Sequence, residues 1–231
     1  MAELREFPDR ETMAREAAAF VAGRLRQAIA ERGQATLSLS GGSTPGPVYR
    51  MLSDADLDWD RVTLTLSDDR WVDPESEHSN ERLARETLLR GRAAAARFVG
   101  LYVGGKAGDA LAEIDRNLRA APRPIDVGIL GIGDDGHTAS LFPGTEAGPL
   151  AATAQGRVAA VDKEGPGESK ARITFTLPEL ASHRALIFLA QSEGKRAIIH
   201  TVLGMSGDPE GLPVARVIAA ARGDVAIHWA P

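Results

Sequence analysis

The 231-residue chain contains no cysteine. That absence excludes a disulfide framework, a thiolate zinc site, an iron–sulfur cluster and a cysteine nucleophile. Long apolar runs are missing too, and nothing approaches the roughly eighteen consecutive apolar residues that mark a membrane span. The opening residues, Met1-Ala2-Glu3-Leu4-Arg5-Glu6, are charged where a signal peptide would be apolar. A cytoplasmic location is therefore the expectation. There is no excess of positive charge: the formal balance is −5, so neither nucleic acid nor an anionic membrane is expected as a partner. An anionic ligand would have to be held by a few specific cations. No Gly-x-Ser-x-Gly elbow occurs, and His78, His183, His200 and His228 lie on different elements without metal-ligand spacing. A serine hydrolase and a metal hydrolase are both disfavoured.

What is present is an ordinary globular composition, 43% hydrophobic and 26% charged. A chain of this length buries a core without staples, and one α/β domain over 1–231 is expected. Residues 10–32 read as a helix, with Met13, Ala17, Phe20, Val21, Leu25, Ala28 and Ile29 at helical spacing, Asp9 as cap and Gly33 as stop. Strand patterns at 35–40, 62–66, 98–102 and 125–130 alternate with helical ones after Pro45, at 80–89 and at 109–120. Beyond Pro149 the chain is richer in strands, at 157–161, 172–176, 185–190 and 225–229, with helices at 194–203 and 213–221. Ala93 to Ala96 sits on a helix end, and 163–170 reads as a mobile loop. Such alternation predicts a three-layer α/β fold: a mostly parallel Rossmann-like sheet flanked by helices, with a smaller strand-rich C-terminal part. Ligands bind beyond the carboxyl ends of such strands.

Three segments at strand ends carry chemistry. Ser40-Gly41-Gly42-Ser43-Thr44-Pro45-Gly46 joins a strand to a helix. It is either a phosphate-cradling loop, with glycines allowing close approach and N–H groups at a helix start, or a turn with a Ser/Thr cap. It is not a P-loop, since no Gly-Lys-Ser/Thr follows. In Ser67-Asp68-Asp69-Arg70-Trp71-Val72-Asp73-Pro74, Arg70 could serve a developing oxyanion with its fork held by a neighbouring carboxylate, or form a surface ion pair. Asn80 lies nearby, as ligand or helix cap. The run Gly131-Ile132-Gly133-Asp134-Asp135-Gly136-His137-Thr138-Ala139-Ser140-Leu141-Phe142-Pro143-Gly144 contains the nominal dinucleotide fingerprint. Two aspartates facing a pyrophosphate, and Pro143-Gly144 cutting short the helix, argue against that use. A histidine beside an aspartate at a strand end suits a general base whose tautomer a carboxylate fixes. Arg172 opens one strand and Lys195 one helix; each reads as a ligand cation or as solvated surface.

Together these segments resemble the 6-phosphogluconolactonase family, within the group that includes glucosamine-6-phosphate deaminase. The likeness runs from Leu37 to the last strand. It implies hydrolysis of 6-phosphoglucono-δ-lactone in the oxidative pentose phosphate pathway, with no metal or organic cofactor; the sequence leaves the oligomeric state open, with a monomer favoured. It implies that His137 activates water, Asp135 rather than Asp134 orients it, and Arg70 faces the carbonyl. It implies that Ser40, Gly41, Gly42, Ser43, Thr44, Arg172 and Lys195 grip the phosphate, with Asp68 and Asn80 also binding substrate. The family's second motif has Asp-Glu-Arg where this chain has Asp68-Asp69-Arg70. The deaminase branch would place Glu where this chain has Phe142 and an aromatic residue where it has Arg70. A non-catalytic sugar-phosphate sensor is the remaining alternative.

Overall fold

The computed structural model describes residues 2–144, 155–163, 171–205, 207, 209 and 211–231. Of the expected 163–170 loop, residues 164–170 lie outside the described residues. The chain begins with β1 (Glu3–Glu6) and α1 (Arg10–Arg32), which keeps both boundaries read from the sequence. Asp9 Oδ1 accepts the Thr12 N–H at 2.7 Å. Gly33, at φ +75°, donates to Ile29 O at 2.8 Å. These two devices satisfy groups that a helix end leaves open.

There follow β2 (Ala35–Leu39), α2 (Gly46–Ser53), β3 (Val62–Leu66), β4 (Asp68–Arg70), α3 (Asn80–Thr87) and β5 (Arg97–Val99). Next come α4 (Ala107–Asn117), β6 (Val127–Gly131), β7 (Val158–Asp162), β8 (Ala171–Phe175) and α5 (Leu177–Ala181). β9 (Ala185–Gln191), α6 (Glu193–Val202), α7 (Pro213–Ala220) and β10 (Asp224–Ala230) close the chain. The Ala93 to Ala96 run overlaps a 3₁₀ turn at Gly91–Ala95, not a helix end.

Seven strands form one sheet in the order β1-β10-β9-β6-β2-β3-β5, and every pairing in it is parallel. β2 is buried at all five positions, as expected of a central strand covered on both faces. α1 packs against β2, β6, β9 and β10. Of the strand-rich C-terminal stretch, β9 and β10 enter this sheet. β7 and β8 join β4 in a separate antiparallel sheet of order β4-β8-β7. From β2 the chain steps outward to β3 and β5, then returns to β6 on β2's other side. That reversal opens a crevice at the carboxyl ends of β2 and β6, the place where such sheets bind ligands. No helix among the described residues is long and apolar enough to cross a membrane.

Candidate active site

A cavity of about 290 Å³ lies at this crevice. Its wall takes Ser40, Gly41, Gly42, Ser43 and Thr44 from beyond β2, and Asp68 and Arg70 from β4. Asn80 of α3, His137 beyond β6, Arg172 of β8 and Lys195 of α6 complete the set. Every expected site residue except Asp135 lines it, and Asp135 stands behind His137. Asp134 does line it.

The first loop is fixed from beneath. The Tyr49 phenol accepts the Ser40 N–H at 2.9 Å and donates to the Ser40 carbonyl at 2.7 Å. Tyr49 is fully buried, and burial pushes its phenol well above the ordinary value. It therefore keeps the proton that it donates. Among the described residues no side chain caps α2, so N–H groups of its first turn are left for an anion to take up.

β4 carries three charged residues with three different partners. Asp69 Oδ1 accepts the N–H groups of Arg70 at 2.8 Å and Asn80 at 2.7 Å. Asp69 Oδ2 accepts the Ser79 hydroxyl and the Glu81 N–H, each at 3.1 Å. Burial raises the Asp69 carboxyl to about 6, against the pull of these donors. Asp69 thus anchors the start of α3 and does not hold the Arg70 fork. The expected carboxylate partner is replaced by Asn80: Arg70 Nη1 donates to Asn80 Oδ1 at 2.8 Å, and Asn80 Nδ2 donates to Asp68 O at 2.8 Å. The cap of α3 is Ser79, whose hydroxyl also accepts from Glu81 N and Arg82 N. That leaves the Asn80 amide for Arg70.

The third loop turns tightly after β6. Gly133 N donates to His137 O at 2.8 Å and Gly136 N to Gly133 O at 3.0 Å. The His137 ring folds back so closely that a Cβ on Gly133 would lie 2.0 Å from Nδ1; only glycine fits there. His137 Nδ1 is 2.5 Å from Asp135 Oδ1, which also accepts the His137 N–H at 3.1 Å. Partial burial works to raise the Asp135 carboxyl, but its hydrogen bonds to His137 hold it below the usual carboxylate range. Phe142 packs against the imidazole, ring centroids 4.9 Å apart. Ser140 was not singled out from the sequence, yet its hydroxyl donates to Asp68 Oδ2 at 2.7 Å. It ties the histidine loop to β4.

Arg70 and Arg172 face each other in register across β4 and β8, a pairing of like charges that costs stability on its own. Burial, then the nearby Arg70 charge, lowers the Arg172 guanidinium. Among the described residues its Nε is buried without a hydrogen-bond partner, as is Ser40 Oγ. Such orphaned groups are expensive unless something binds them. The other histidines stay out of the site. His183 bonds Ser38 and the Glu179 carbonyl in the core, and His78 lies on the surface 3.9 Å from Glu77.

Fold and cavity together define a Rossmann-like α/β protein with a cleft lined by Arg70, Arg172 and Lys195 beside a histidine–carboxylate pair. The family is narrower. A family model described as glucosamine-6-phosphate isomerases/6-phosphogluconolactonase matches residues 8–229, and the chain belongs to that family. It is 42% identical to a 6-phosphogluconolactonase of Pseudomonas aeruginosa over 94% of this chain and 90% of the relative. It is also 42% identical to one of Rhizobium meliloti, over 91% of each. The crystal structure of a 6-phosphogluconolactonase from Shewanella baltica superposes with a TM-score of 0.91 at 33% identity, covering 100% of this chain and 98% of that one.

Proposed function

We infer that the chain hydrolyses 6-phosphoglucono-δ-lactone to 6-phosphogluconate, the reaction named in its 42%-identical relatives. One observation carries the mechanism: the Asp135-bound His137 opens onto the same cavity as Arg70, Arg172 and Lys195. With Nδ1–H given to Asp135, Nε2 is the nitrogen free to take a proton. A water attacks C1 as His137 Nε2 removes its proton, and a tetrahedral oxyanion forms. When it collapses, the bond from C1 to the ring oxygen breaks and His137 returns the proton to that oxygen. Arg70 stabilises the oxyanion, a contribution of roughly 3 kcal/mol for one well-placed donor. The Ser43–Thr44 loop, Arg172 and Lys195 hold the phosphate, and this remote binding orients the carbonyl.

A deaminase reading requires a glutamate at the position of Phe142 to serve the histidine alongside Asp135, and a phenyl ring packs against the imidazole there instead. The proposal extends to a single-domain, cytoplasmic monomer acting in the oxidative pentose phosphate pathway. The test is lactone loss with freshly prepared 6-phosphogluconolactone, corrected for spontaneous hydrolysis. Catalysed turnover is expected. Thermal stabilisation by 6-phosphogluconate without turnover would favour a sensor instead.

A further inference from the structure

We propose that Ser40 and Asp68 form a hydroxyl-reading corner, separate from the phosphate grip, that recognises the lactone's C2 hydroxyl. The proposal rests on the lactonase reading. Ser40 lines the cavity, and its Oγ is buried with no hydrogen-bond partner among the described residues. Its backbone is held on both sides by the Tyr49 phenol, so the loop cannot easily shift to pair it. Asp68 is 6% exposed and also lines the cavity. One of its oxygens takes the Ser140 hydroxyl at 2.7 Å, whereas the other has, among the described residues, only a long contact of 3.4 Å from Ser67. That second oxygen keeps lone pairs to offer.

The two residues leave neighbouring strand ends. Leu39 and Leu66 are in register, and Ser67 donates to Leu39 O from both its N–H and its hydroxyl, at 2.7 and 3.0 Å. A carboxylate repels a phosphate dianion and accepts strongly from a neutral hydroxyl. Ser40 beside it both donates and accepts. The chemistry of the corner is therefore that of a sugar hydroxyl. Ser140 stands three residues beyond His137 and binds Asp68 directly, so the corner belongs to the reacting end of the ring. The hydroxyl there is the one next to the carbonyl.

The experiment compares Ser40→Ala with wild type on three lactones: the parent, its 2-deoxy analogue, and glucono-δ-lactone without phosphate. Wild type is expected to favour the parent over the 2-deoxy compound by at least about tenfold in kcat/KM, the discrimination of a lost hydrogen bond. Ser40→Ala is expected to lose about that factor on the parent and on glucono-δ-lactone, which both carry the C2 hydroxyl, and little on the 2-deoxy analogue, closing the gap. Asp68→Asn, which removes the charge and keeps the shape, should narrow the same gap. Because Ser40 Oγ has no partner, the alanine variant is expected to melt at or above the wild-type temperature. Equal losses on parent and 2-deoxy substrates would overturn the proposal. So would a loss confined to the phosphorylated substrates as a group, or a marked fall in melting temperature. A wild-type protein that turns over none of the lactones would overturn the lactonase reading itself, a result distinct from all of these.

Discussion

A Cβ on Gly41 would sit 1.8 Å from Oδ1 of Asn80, the oxygen that accepts the Arg70 guanidinium at 2.8 Å. The first loop is therefore shaped around the residue that aims Arg70, one motif further along the chain. Gly41→Ala must push the Asn80 amide away and release Arg70. If Arg70 serves the oxyanion, kcat falls by about 100-fold, the cost of one misplaced donor. Asn80→Ala frees Arg70 without a clash and is expected to fall in the same direction. Steady-state kinetics with circular dichroism as a folding control would check this; wild-type kcat in both variants would remove Arg70 from the chemistry.

Arg172→Ala and Lys195→Ala are expected to raise KM for the phosphorylated lactone by roughly ten- to a hundredfold each, the range of a hydrogen bond to a charged group. They should leave kcat much less affected. Arg172 opposes Arg70 and has a buried Nε without a partner among the described residues, so its removal is not expected to destabilise the free protein. Kinetics and melting temperature measured together separate the two effects. Wild-type KM in both variants would move the phosphate elsewhere.

Ser192, at the turn from β9 into α6, has φ +88° and ψ 152°, a region that glycine adopts far more readily than serine. Ser192→Gly is expected to stabilise the protein by about 1 kcal/mol, raising the melting temperature by roughly 2–4 °C for a chain of this size. Calorimetry is the check. A lower melting temperature would mean that the serine side chain contributes more than its backbone costs.

His228 is fully buried between Phe7 and Phe20, and neither ring nitrogen has a partner among the described residues. Burial, then the Arg5 charge, depresses its pKa from 6.5 to about 4. The unfolded chain thus takes up a proton at this position first as pH falls. The stability contribution is whole above pH 6.5 and is lost progressively down to about pH 4. Within that window His228 adds up to about 1.4 kcal/mol per pH unit to the slope. His228→Leu is expected to flatten the acid side of the stability curve and to gain about 1 kcal/mol at neutral pH by removing two orphaned polar atoms. Denaturant titrations across pH 4–8 would show it; an unchanged slope would contradict the assignment.

The parts of the fold legible in the sequence are those with a period or a cap. α1 kept its limits because Asp9 and Gly33 each perform a backbone-satisfying task that those residue types do best. The three site loops were legible because each directly follows a buried strand, and the strand order gathers those ends. β1, β4 and α5 were not. β1 is mostly exposed with no apolar alternation, and β4 is three charged residues whose partners are a helix start and a cavity. α5, at five residues, is too short to show a helical period. The role of Asp69 was hidden for a similar reason. A carboxylate beside an arginine suggests an ion pair, and only the packing of α3 against β4 turns it toward three donors at the start of that helix. Ser140 likewise reads as a loop residue until β4 is placed beneath it.

The central claim is that His137 is the group that activates water. The most direct measurement is the rate of 6-phosphogluconolactone loss catalysed by His137→Ala, with the spontaneous rate subtracted, beside the wild type at equal concentration. A fall of about 10²- to 10⁴-fold in kcat, the range for removing a general base, is predicted. A variant that keeps the wild-type rate would contradict the mechanism.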